Sequence, residues 1–191
     1  MAPMSVVAWT ASLPGPWGPI HLAVSSHGVV AVAWLTTDDD VDEGLTRRLH
    51  GTVVPLSTDP GGVGVAQMAD AVRAVEAVLA GRPHAPVRVD LRDRPDWDQA
   101  VLQEVGRIPL GATASYGEIA RRIGRAGAAR AVGGAVARNP ITLVIPCHRV
   151  IAGDGTLGGY GGDGWGGRDE RLAIKRDLLL REGITVHPTR G

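Results

Sequence analysis

The chain predicts an α+β fold: an N-terminal small β-sheet plus helix domain, then a C-terminal mostly helical domain with a winged-helix-like helix-turn-helix. Three observations carry this. Short β-rich runs dominate the first 35 residues, helical periodicity sets in at Val63, and two short helices joined by a glycine turn follow Ser115.

Ser5–Trp9, Pro19–Val24 and Val29–Leu35 are separated by Gly, Pro and Ser, which reads as a small antiparallel sheet. Asp38-Asp39-Asp40 reads as a solvated loop and is assigned no chemistry. Across Val63–Ala80, the residues Val65, Met68, Val72, Val75 and Leu79 recur at helical spacing, and Gly81 is a natural stop. The short Pro- and Gly-rich run Gly81–Pro86 divides the chain into a scaffold domain, 1–86, and a second domain, 87–191. A strand is expected at Val87–Leu91, then a helix over Asp96–Arg107. Ser115-Tyr116-Gly117-Glu118 fits a capping box, so a helix starts at Tyr116 and runs to about Ile123. A second helix, Gly127–Arg138, stops before Asn139-Pro140. The pair forms a helix-turn-helix pattern, whose second helix can enter a DNA groove.

Composition narrows the function classes. With 44% hydrophobic residues the 191-residue chain can bury a core, and the single cysteine excludes an internal disulfide and any multi-cysteine zinc site. That lone thiol makes a reducing, cytoplasmic setting the default. The histidines show no metal-ligand spacing, and no run reaches the roughly 18 apolar residues of a membrane span. Net charge is zero, but residues 114–150 hold six arginines (121, 122, 125, 130, 138, 149) against Glu118 alone. Such an island suits phosphate contact, or it is a solvated face.

Cys147 carries the chemical signal. A lone cysteine is most often a small buried hydrophobe. Here it lies within Ile145-Pro146-Cys147-His148-Arg149-Val150, and an adjacent imidazole can act as base or cationic partner to a thiolate nucleophile. Pro146 restricts the residue before it, so Ile141–Ile145 is expected as an extended segment that delivers the thiol. The second helix is nearly free of bulk: Ala128, Ala129, Ala131, Gly133, Gly134 and Ala135 surround Arg130, the one long side chain. Two glycines inside a helix cost about 1 kcal/mol each, and they serve either close approach to another surface or tight internal packing.

These motifs resemble the O6-alkylguanine-DNA alkyltransferases, also called methylated-DNA–protein-cysteine methyltransferases. The match runs through Ser115–Ala120, Ala129–Ala135, Arg138-Asn139-Pro140, Ile145–Val150, Gly159-Tyr160 and Glu182-Gly183, covering nearly all of residues 95–184; Pro16–Ile20 matches loosely. The resemblance implies irreversible, single-turnover transfer of the alkyl group from O6-alkylguanine, and from O4-alkylthymine, to Cys147. It implies His148 as base through a bound water, Glu182 as its orienter, Asn139 as a backbone brace and Tyr116 as a partner of the flipped guanine. Arg130 would fill the vacated stack, with Gly117, Arg125, Ala128, Ala129 and Gly133 on the DNA face. Val150, Tyr160, Gly161 and Arg149 would surround the base. The implied partner is double-stranded DNA, bound in the minor groove without sequence preference by a monomer, with cooperativity open. No cofactor and no metal are expected.

Gly153–Gly167 has nine glycines in 15 residues, and the path from Tyr160 to the last helix, expected at about Arg171, is longer than the family usually has. It is expected either as a lid anchored by Trp165 or as an inert insertion. Two rival functions stay open: a binder that flags lesions without transfer, which keeping Cys147 disfavours, and a cysteine hydrolase, which would leave the arginine-rich helices unexplained.

Overall fold

The computed structural model describes residues 7–59, 61–161 and 166–186. Strands β1 (Val7–Leu13), β2 (Ile20–Ser25), β3 (Gly28–Ala33) and β4 (Thr52–Pro55) form one sheet in the order β3-β2-β1-β4. The first three pair antiparallel as expected, but β4 lies parallel to β1, so the sheet is mixed. Ser5 and Val6 of the first expected strand lie outside the described residues.

The chain reaches β4 through helix α1 (Asp38–Leu49), where a loop was expected at the three aspartates. They form its first turn. The Thr37 hydroxyl accepts from the Asp40 amide, and the carboxylates lie at the positive end of the helix dipole. Every residue of β2 and β3 is buried, because both faces of the sheet are covered. Val24, Val29 and Val32 pack with Met68, Ala71 and Val75 of α2 (Val63–Leu79). On the opposite face, Ala23, Ala31 and Ala33 are small enough for α1 to seat Val41 and Leu45 against them.

The second half holds α3 (Asp96–Val105), α4 (Tyr116–Arg122), α5 (Ala129–Ala137) and α6 (Arg168–Arg181), with β5 (Ala114–Ser115) parallel to β6 (Val150–Ile151). The capping box forms: Ser115 Oγ accepts from the Glu118 amide, and the Glu118 carboxylate accepts from the Ser115 amide. One apolar core runs from Ile20 and Val75 through Val101, Ile119 and Val132 to Leu178, without a break between the halves.

Two expected extended segments are absent. Val87–Leu91 forms no strand; it makes one bridge, Val89 to Val29, closed by Val29 N to Arg88 O and Asp90 N to Val29 O. Ile141–Ile145 is a turn, with Leu143 at φ 68° and Ile145 N donating to Ile141 O. The polar side chain of Asn139 satisfies the backbone on both sides of that turn, and the run's strand pairing is confined to one bridge, Ile141 to Val32.

The helices of the two halves also meet at Gly81, where φ is +63° and an added Cβ would lie 2.1 Å from the Arg181 carbonyl oxygen. Arg181 in turn donates to Leu79 O at 2.7 Å. Gly81→Ala is therefore expected to lower unfolding stability by more than about 1 kcal/mol, read from urea denaturation with the slope unchanged.

Candidate nucleophile site and helix-turn-helix face

The thiol sits on a loop that the N-terminal sheet holds. Val32 of β3 donates its amide to Pro140 O at 2.9 Å and accepts the Thr142 hydroxyl on its carbonyl at 2.6 Å. Asn139 braces the same loop: its Nδ2 donates to Ile145 O and its Oδ1 accepts from Ile141 N, both at 3.0 Å. Cys147–Arg149 then forms a single 3-10 turn, with Cys147 N donating to Ile145 O at 2.7 Å. The side chain is buried, 2% exposed. Burial pushes the thiol pKa up, opposed by hydrogen bonding with Asn139, the Lys175 charge and the Tyr160 hydroxyl. The resting sulfur is a protonated thiol, so reaction needs a base.

His148 supplies one. It is fully buried, and its Nε2 meets Glu182 Oε1 at 2.9 Å. Burial lowers its pKa against the pull of Glu182, favouring the neutral ring. A neutral ring that donates Nε2–H to a carboxylate leaves Nδ1 as an acceptor, and Nδ1 is buried without a partner among the described residues. Glu182 is itself held by Arg149, whose Nε and Nη2 donate to it while Nη1 donates to Ile108 O at 2.6 Å. Burial would raise the Glu182 pKa, but the hydrogen bonds from His148 and Arg149 overcome it and bring the group to about 2. Arg149, expected beside a base, spends its guanidinium on Glu182 and Ile108 instead.

Lys175 escaped the sequence reading. It is the only lysine in a chain with 20 Lys and Arg, which was the available signal. On α6 it is fully buried, and Nζ donates to Val150 O and Leu157 O at 2.6 Å and Gly159 O at 2.8 Å. All three protons are used, tying the segment after β6 to α6. Burial lowers its pKa to about 8, with the Cys147 charge acting the other way.

Tyr116, at the start of α4, faces this segment. Its hydroxyl donates to Gly159 O at 3.4 Å, and burial raises its pKa. A Cβ at Gly158, where φ is +68°, would press on the Tyr116 ring at 3.2 Å, so glycine lets the strap approach the ring. A Cβ at Gly133 would meet the same ring at an ordinary 3.8 Å, so internal packing does not by itself demand that glycine. Arg125 and Arg130 are exposed, Gly117, Ala128 and Ala129 are half-buried, and Val150 is buried. Tyr160 is buried and stacked on Trp34 at 6.2 Å, and Gly161 is exposed. Trp165, the expected lid anchor, lies outside the described residues. Among the described residues no three His, Cys, Asp or Glu side chains gather to hold a metal, and no helix is long and apolar enough to cross a membrane.

Residues 96–184 match the family model described as 6-O-methylguanine DNA methyltransferase, DNA binding domain. The methylated-DNA–protein-cysteine methyltransferase of Mycobacterium tuberculosis H37Rv is 42% identical over 156 residues, covering 79% of this chain and 82% of that one. The Salmonella typhimurium protein of the same name is 33% identical over 181 residues, covering 90% and 93%. A crystal structure of Mycobacterium tuberculosis OGT in complex with DNA superposes with a TM-score of 0.68 at 35% identity, covering 93% of this chain and 92% of that one. An O6-methylguanine-DNA methyltransferase from Pyrococcus kodakaraensis, at 23% identity and a TM-score of 0.59, shares the fold. With the thiol, its imidazole and the helix pair in one structure, the chain belongs to the methylated-DNA–protein-cysteine methyltransferase family.

Proposed function

We propose that this protein repairs DNA by direct reversal, moving the alkyl group of O6-alkylguanine, and of O4-alkylthymine, onto Cys147. The observation that carries the reading is the buried His148–Glu182 pair directly after the buried Cys147, with His148 Nδ1 lacking a partner among the described residues. His148 takes the thiol proton through a water, and Glu182, fixed by Arg149, holds the ring in the tautomer that can do so. Sulfur attacks the sp3 carbon, the S–C bond forms, and the O6–C bond breaks with its electron pair passing to the guanine. The base leaves neutral by taking a proton from the Tyr116 hydroxyl, and the proton that His148 took from the thiol returns through water to restore that hydroxyl, which bonds Gly159 O in the resting protein. The product thioether has no leaving group, so each molecule reacts once.

DNA lies against the helix-turn-helix on this reading, with α5 in the minor groove and contacts to the backbone rather than to base identity. The half-buried Ala128, Ala129 and Gly133 allow close approach, and Gly117 and Arg125 flank them. Exposed Arg130 fills the space of the extruded base. Val150, Tyr160 and Gly161 border the base, while Asn139 and Lys175 shape its site through the backbone. The protein acts as a monomer in the cytoplasm, where a lone thiol stays reduced. Residues 1–86 serve as the scaffold for the unit 87–191, through the contact of Val32 with the thiol loop.

Cys147→Ala is expected to abolish transfer from an O6-methylguanine duplex while retaining DNA affinity, read by intact-protein mass and gel shift; loss of both together contradicts the assignment. Arg130→Ala is expected to slow repair in duplex DNA by at least about tenfold more than reaction with free O6-benzylguanine, which has no stack to fill. Equal losses on the two substrates remove the wedge role.

Glu182 has a distinct pH signature. Its pKa falls from 4.5 to about 2 on folding, so its stabilisation is complete above pH 4.5 and is lost as pH drops towards 2. Glu182→Gln is expected to be less stable than wild type at neutral pH, with the difference narrowing below pH 4.5 in acid unfolding. Its alkyl-transfer rate is expected to fall at least about tenfold.

A further inference from the structure

A cavity of about 340 Å³ lies on the other side of Tyr160 and Asn139 from the chemistry just described. Ala31 and Ala33 of β3 and Val41 and Leu45 of α1 form one wall; Thr142 and Tyr160 face them. Cys147, His148, Tyr116 and Val150 do not line it. Four arginines do, and three are spoken for. Arg48 donates to Val30 O and pairs with Asp93, Arg94 pairs with Asp93, and Arg138 makes two bonds to Asp98. Asp40, the one carboxylate on the wall, holds the Thr37 hydroxyl.

Arg171 differs. It stands in the first turn of α6 with its Cδ 3.3 Å from where a Gly161 Cβ would be, and its Nε and Nη1 are buried without a partner among the described residues. Burying guanidinium donors unpaired is costly, and an anion seated there would remove the cost. Apolar walls and a volume within the range of small-molecule pockets complete the requirements for a ligand.

We propose that this cavity binds a small amphipathic anion, an acid with an aromatic or branched apolar body, whose acid group pairs with Arg171. Its body lies between α1, β3 and Tyr160. Because Asn139 braces the thiol loop at Ile141 and Ile145, the occupied cavity supports the placement of the nucleophile without touching it. The cavity shares Tyr160, Gly161 and Asn139 with the surroundings of the base proposed above but none of Cys147, His148, Tyr116 and Val150, and binding can be measured with no lesion present.

Fluorescence titration of the full-length protein tests it with two dyes that share one ring system. These are 8-anilino-1-naphthalenesulfonate, an anion, and N-phenyl-1-naphthylamine, which lacks the sulfonate. Wild type is expected to bind the anion at one per chain and more tightly than the neutral dye. Arg171→Met is expected to weaken the anion by about tenfold or more and the neutral dye by less than about twofold. Gly44→Trp on α1 is an independent probe: a Cβ there meets nothing within 4 Å, so the helix tolerates it, and the indole fills the cavity. It is expected to abolish saturable binding of both dyes. An absence of saturable binding to wild type, equal losses of the two dyes in Arg171→Met, or undiminished binding in Gly44→Trp each overturns the proposal.

Discussion

The hold of β3 on the thiol loop is the constraint on which the rest depends. One residue, Val32, gives its amide to Pro140 and its carbonyl to Thr142, across 110 positions of sequence in the second case. Asn139 then closes the turn from inside. With both ends tied, Cys147 and His148 emerge on a single 3-10 turn whose direction is not free to vary. The N-terminal sheet thus positions a thiol that lies far from it in sequence, and its alanine-lined face lets α1 pack close behind.

Electrostatics at the site work by burial set against a few directed partners. Burial alone would keep Cys147 protonated, His148 neutral and Glu182 protonated. The first two tendencies prevail and suit a resting acceptor. The third is reversed, because His148 and Arg149 both donate to Glu182. A buried carboxylate that stays ionised is what fixes the imidazole tautomer. Lys175 adds a cation whose hydrogens are all spent on carbonyls, so it ties the segment after β6 to α6, and its charge pulls the Cys147 pKa down against burial.

Elements with strong local signals were legible residue by residue. The capping box at Ser115–Glu118, the periodic α2 and the stop at Gly81 all rest on contacts within a few residues of each other. Elements decided at a distance were not. Asp38-Asp39-Asp40 is exposed, as expected, but opens a helix where a loop was expected, because the turns that follow it pack Val41 and Leu45 on the sheet. Ile141–Ile145 looked like a strand because its apolar residues satisfy that pattern, yet the Asn139 side chain offered the backbone a turn. Arg149 looked free for a ligand until Glu182 arrived beside it.

The α+β class, the helix pair, the Cys147-His148 dipeptide and the family were all readable from the chain of amino acids alone. Each is written in short-range pattern: period, capping, and residues adjacent in the chain. Long-range packing settled that Arg149 is a strut, that Lys175 is buried, that β4 runs parallel to β1, and that Nε and Nη1 of Arg171 find no partner among the described residues beside a cavity. Those outcomes depend on which desolvated groups find partners across the fold, and no local pattern records which donor will meet which acceptor.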